Sequence, residues 1–195
     1  SCTAQSAWAA QKSRAMHKTM HVFLTGPVQI GKSTRIRAAL RALDITQPGG
    51  FLTVSSEPLA DGSRTVHLIP AARPDAPLPA ENRVGIRCTG RGIVSFPAVF
   101  ESAGVAALQG AETSRLIVMD EIGRMEREAA EFSARILALL DGETPILGVV
   151  QQKADTPLAN AVRSHPDVRL IEVTEQTRGG VPDEILRTLG PQLIL

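Results

Sequence analysis

Short continuous apolar runs alternate along this chain with stretches whose apolar residues recur every three or four positions. The runs at 21–25 (HVFLT), 49–54, 115–120, 145–150 and 168–173 predict strands. Those at 115–120 and 145–150 are apolar on successive residues, as expected of central parallel strands buried on both faces. The helical spacing falls at 34–43, 97–108, 125–140, 157–163 and 182–189. Pro97 suits a first helical turn, and Gly190 marks a stop. Asp61-Gly62-Ser63 signals a hairpin turn leading into a returning strand at 64–69. Residues 70–79 carry four prolines and read as an exposed loop. Residues 84–94 have weak strand character, interrupted by Gly85, Gly90 and Gly92. Strands alternating with helices predict an α/β sandwich around a mostly parallel sheet, with a β-hairpin after the first helix.

Composition narrows the picture. A chain of 195 residues suits one domain, here expected over 21–195. Residues 1–20 lack a strand signal and an apolar signal-peptide core, so they read as a tail or appended extension, with 4–16 a loose helix and Met20 a candidate natural start. The net charge of +1 offers no basic excess for nucleic acid or an anionic membrane. With five Phe, one Trp and no Tyr, stacking platforms for single strands are missing. No run approaches the length of a membrane helix. Cys2 and Cys88 lack metal-ligand spacing, and a reduced, cytoplasmic setting is expected. No feature names a protein partner.

The chemistry begins between the first strand and the first helix. Gly26-Pro27-Val28-Gln29-Ile30-Gly31-Lys32-Ser33, followed by Thr34, fits G-x-x-x-x-G-K-[ST] in the strand–loop–helix context that phosphate binding needs. The glycines allow a tight turn that points N–H groups inward, and the helix N-terminus adds positive charge. Lys32 is placed to reach the β- and γ-phosphates of a nucleoside triphosphate, and the Ser33 hydroxyl to bind Mg2+. A second signature ends the run at 117–121. Its apolar residues deliver Asp120 to the C-terminal edge of the sheet, where a carboxylate suits Mg2+, and Glu121 follows as candidate base for an attacking water.

Over about residues 21–189 the chain resembles the thermophile-type, or cancer-related, nucleoside-triphosphatases. The matching blocks are HVFLTGP at 21–27 running into GKST at 31–34, GGFLT at 49–53, VG at 84–85, FE at 100–101, DEIGRME at 120–126 and VTEQTR at 173–178. DEIGRME is the most specific. The resemblance implies a P-loop three-layer sandwich and Mg2+-dependent hydrolysis of ATP, GTP and other triphosphates with broad base tolerance. It also implies a place for Arg178 near the nucleotide.

The departures concern contacts. Arg124 replaces a lysine in the most specific block; the charge persists but the geometry differs, which matters if the position touches phosphate. Val28 and Gln29 stand where proline and glycine are usual. Val54 and Ser55 replace an acid, and Ile86 a tyrosine, which bears on base or ribose contacts. Glu126 and Glu128 read as acids in the first turn of a helix. Arg35, Arg37 and Arg41 read as a solvated helix face, and Lys153 as a surface lysine within reach of phosphate. Two other readings stay open: a kinase, with Arg83, Arg87 and Arg91 as a lid cluster, and a nucleotide-controlled binding module.

Overall fold

The computed structural model describes residues 18–193. One eight-stranded sheet runs through the molecule in the order β5-β4-β3-β2-β6-β7-β1-β8. Its parallel half comprises β2 (Gly49–Ser55), β6 (Ile117–Ile122), β7 (Ile146–Val150), β1 (His21–Thr25) and β8 (Val168–Glu172). The remaining strands, β3 (Arg64–Pro70), β4 (Arg83–Cys88) and β5 (Gly92–Ser95), continue from β2 as an antiparallel meander. The predicted hairpin after the first helix is therefore half of a larger wing. The single weak strand expected over 84–94 is two strands, because Gly90 and Gly92 take positive φ and turn the chain between them.

Helices cover both faces, so the sheet is the middle of three layers. On one face α1 (Lys32–Ala42) packs against α6 (Val181–Leu189) over Val22, Leu24, Val118 and Leu147. On the other, α4 (Ala130–Leu140) and α5 (Pro157–Ser164) lie over Phe23, Met119 and Ile146. The helix expected over 97–108 is built from α2 (Pro97–Val99), a π-helical turn (Phe100–Gly104) and α3 (Val105–Leu108). Gly104 leaves room here: a Cβ would lie 2.7 Å from the Phe132 ring. Phe132 in turn contacts Phe51 and Phe100 in an aromatic cluster, with centroids 5.2 and 5.3 Å away.

Three expectations change. The helix predicted over 125–140 begins only at Ala130, so Glu126 and Glu128 are not first-turn acids. Residues 124–129 make two tight turns instead, with Arg127 N–H bonded to Arg124 and Ala129 N–H to Glu126. The start of α4 has no capping side chain of its own; Glu101 caps it from the π-turn, accepting from Phe132 N–H (2.9 Å) and Glu131 N–H (3.1 Å). The strand expected at 115–120 runs on to Ile122. The loose helix at 4–16 and Cys2 lie outside the described residues, and Cys88 is a half-buried free thiol. Residues 18–20 are joined to the domain: Lys18 pairs with Asp167 at 2.9 Å, and Met20 N–H bonds Gln192.

The sheet needs one close approach. Gly50 has φ of 90°, and a Cβ there would lie 1.9 Å from the Val118 carbonyl, so only glycine lets β2 lie against β6 at this point. That contact brings Thr53 Oγ1 to within 3.3 Å of the Asp120 carbonyl at the functional edge.

Candidate active site

The C-terminal ends of β1, β6 and β7 open into a cleft of about 860 Å³. The loop after β1 forms one wall. Gly26 (φ 144°) starts it, and a side chain there would strike the Val173 carbonyl at 2.4 Å. Gly31 (φ 94°) ends it and caps α1. Pro27, Val28, Gln29, Lys32, Ser33 and Thr34 line the cleft. The Ile30 side chain does not; it is buried in the core, so only its backbone remains for a ligand. Lys32 Nζ donates to the loop's own carbonyls, Gly26 at 2.9 Å and Pro27 at 2.6 Å. Burial pulls its pKa below the usual lysine value, against the pull of Glu121 and Asp120.

Asp120 and Glu121 both line the same cleft, although neighbours on a regular strand point to opposite faces. The register explains it. Asp120 pairs with Val149 and Ile122 with Val150, so Glu121 is the extra residue of a β-bulge on β6. Asp120 is buried and shares the cleft lining with Ser33. Burial pushes its pKa up to about 6, with Ser33, Arg37 and Lys32 pulling the other way. A hydroxyl and a buried carboxylate lining one cleft are hard oxygen donors, and the carboxylate's desolvation is relieved by a cation. The pair fits Mg2+, which takes few protein ligands and fills its octahedron with water and phosphate oxygens. Glu121 is half-buried, and its Oε1 receives Gln151 Nε2 at 2.7 Å and Arg87 Nη2 at 3.5 Å.

The remaining predicted residues divide. Arg124 lines the cleft and is exposed, its Nη2 bonded to the Lys153 carbonyl at 3.0 Å; Lys153 lines the cleft beside it. Of the arginines at 83, 87 and 91, only Arg87 reaches the cleft. Arg178 does not line it. It is exposed on a turn closed by reciprocal Thr174 and Thr177 bonds, and its carbonyl accepts from Arg35 Nε at 3.2 Å. Arg35 is thus tied to two loops rather than simply solvated, bonding Gly31 as well. Of the departures in the wing, Ser55 lines the cleft; Val54 and Ile86 do not.

Sequence reasoning missed Gln151, Gly123 and Arg163. A Cβ on Gly123 would fall 2.1 Å from the Gln151 amide, and Arg163 Nη1 holds the Ala154 carbonyl at 2.8 Å, while Nη2 holds those of Gln151 and Gln152. These contacts come from the topology and leave no local sequence signal. Glu126 was misread: it is a buried carboxylate accepting from Gly123 N–H, its pKa pushed up to about 7 chiefly by desolvation.

A family model described as NTPase matches residues 21–186. Nucleoside-triphosphatase THEP1 of Thermotoga sp. strain RQ2 is 30% identical over 179 residues, spanning 87% of this chain and 95% of the relative. Human cancer-related nucleoside-triphosphatase is 30% identical over 186 residues, spanning 85% and 94%. In fold, the chain is similar to the crystal structure of THEP1 from Aquifex aeolicus, with a TM-score of 0.66 at 22% identity over 87% of this chain and 99% of the other.

Proposed function

The chain belongs to the NTPase family, and from that premise we propose that it hydrolyses nucleoside 5′-triphosphates with Mg2+, to diphosphate and phosphate. The observation that carries this reading is the convergence of the phosphate loop, the Ser33–Asp120 pair and the Glu121 carboxylate on one cleft.

The loop N–H groups and the Lys32 ammonium receive charge on the β- and γ-phosphates. Lys32 exchanges its two carbonyl partners for phosphate oxygens, so the loop is already shaped around a cation reaching inward. Ser33 and Asp120 would hold Mg2+, which would supply positive charge against the phosphates as the diphosphate departs. Glu121 accepts a proton from water as the water oxygen bonds Pγ, and the bond from Pγ to the bridging oxygen breaks toward the diphosphate. Arg124 and Lys153 add positive charge at the rim. Hydrolysis is preferred to kinase chemistry because only one arginine of the supposed lid cluster faces the cleft, and it is paired with the glutamate that would serve water.

The test is phosphate release from ATP, GTP, CTP and UTP with Mg2+, in the wild type and in Glu121→Gln. Release from all four that falls by about 10²- to 10⁴-fold in the variant, with binding retained, is the expected result. Turnover by Glu121→Gln at the wild-type rate overturns the assignment of the base.

A further inference from the structure

Glu121 sits on a bulge, so the sheet ladder that normally fixes a strand residue does not fix its direction. Something else must aim a carboxylate that is to meet one water at one phosphorus. Both recorded contacts of its side chain go to a single oxygen. Gln151 Nε2 donates to Oε1 at 2.7 Å, and Arg87 Nη2 reaches the same atom at 3.5 Å. The other oxygen has no hydrogen-bond partner among the described residues, and the side chain lines the cleft.

Resting on the hydrolytic reading above, we propose that Gln151 is the positioning residue of this site: its amide holds Oε1 of Glu121 so that Oε2 is presented to the attacking water. Gln151 follows β7 directly and is held from three sides. Its backbone N–H bonds the Ile122 carbonyl at 2.8 Å, which ties it to the strand that carries Glu121. The Arg163 guanidinium, rising from α5, gathers the carbonyls of Gln151, Gln152 and Ala154. Its side chain lies in the space a methyl group on Gly123 would take, 2.1 Å from the amide oxygen. A carboxylate accepts only, so the amide must turn its NH₂ toward Glu121, and the network fixes its orientation.

The experiment measures kcat, KM and nucleotide affinity for Gln151→Ala, Gly123→Ala and Glu121→Gln, and for the double variant Gln151→Ala/Glu121→Gln. Gln151→Ala is expected to lower kcat by about 10- to 100-fold, the scale of a misaimed group, with KM and affinity within about twofold. Gly123→Ala displaces the same amide without touching Gln151 and should lower kcat in the same direction, which keeps the test readable if one variant folds poorly. In the Glu121→Gln background, Gln151→Ala should cost no more than about twofold, since a residue that acts through Glu121 has nothing further to lose. A Gln151→Ala enzyme with wild-type kcat overturns the proposal. So does a full Gln151→Ala loss on top of Glu121→Gln, or a loss that appears in nucleotide affinity. If Glu121→Gln itself leaves turnover intact, the base assignment has failed, and that result is separable from a Glu121→Gln collapse with Gln151→Ala unaffected.

Discussion

Arg87 on β4 reaches Glu121 on β6 across two intervening strands, with Nη2 3.5 Å from Oε1. The wing is thereby tied to the carboxylate proposed as the base. Both partners are partly exposed, so the pair contributes little to stability, at most about 1 kcal/mol. Arg87→Ala is expected to shift the melting temperature by only a few degrees while lowering turnover about tenfold. Melting curves and steady-state rates on the same preparation check this; a large stability loss with unchanged turnover would reverse the assignment.

Glu126 gives a pH-dependent prediction. Its folded pKa, about 7, lies above its ordinary 4.5. The folded state therefore holds a proton that the unfolded state has lost between those values. The contribution of Glu126 to stability is full below pH 4.5 and is lost as pH rises through about 7. Glu126→Gln keeps an acceptor for Gly123 N–H but cannot ionise. It should match the wild type near pH 5 and exceed it at pH 8, by up to about 3 kcal/mol. Denaturant midpoints at the two pH values decide the matter.

His21 has the opposite sign. It is fully buried, with Nε2 2.8 Å from the Leu140 carbonyl and Nδ1 accepting from Ile146 N–H at 3.1 Å. That arrangement requires the neutral ring protonated on Nε2. Desolvation first, then the neighbouring His165, pull its pKa below 6.5, against the Leu140 bond and the charges of Asp167 and Asp141. The unfolded state takes up the proton first, so this contribution is complete above pH 6.5 and is lost as pH falls. His21→Gln should be less stable than the wild type at pH 7.5, and the gap should narrow at pH 5.5.

Gln29 holds a φ of 62° within the phosphate loop, a conformation that costs a residue with a Cβ roughly 1 kcal/mol. Gln29→Gly should retain nucleotide affinity and leave stability within about 1 kcal/mol, relief of strain offsetting the freer unfolded chain. Gln29→Val, β-branched in the same conformation, should weaken binding. Titration with a fluorescent nucleotide analogue separates the two.

The parts of this site that were legible in the sequence are local. Gly26 to Ser33 form a loop whose shape is set by their own backbones, and Asp120 closes an apolar run that can only be an inner strand. Gln151 and Arg87 were not legible in their roles, because strand order rather than spacing brings them to Glu121. Glu126 misled for a different reason. An acid ahead of an amphipathic stretch reads as a helix-start residue, and nothing local reveals that the chain turns twice and buries it. The antiparallel wing was half visible: the DGS turn announced one hairpin, while the glycines at 90 and 92 read as breaks rather than as the second.

The strand that leads into the phosphate loop has both of its partners far along the chain. β1 at 21–25 pairs with β7 at 146–150 and β8 at 168–172, and with no other strand among the described residues. The strands of the wing, by contrast, pair with near neighbours in sequence. During synthesis the meander can close while the ribosome is still adding residues, but β1 must wait until more than a hundred further residues have emerged. Pairings of such long range carry the loop-closure cost that slows folding. The loop that follows β1 is thus made before the wing and seated after it, so the cleft takes shape only as the parallel half of the sheet is completed.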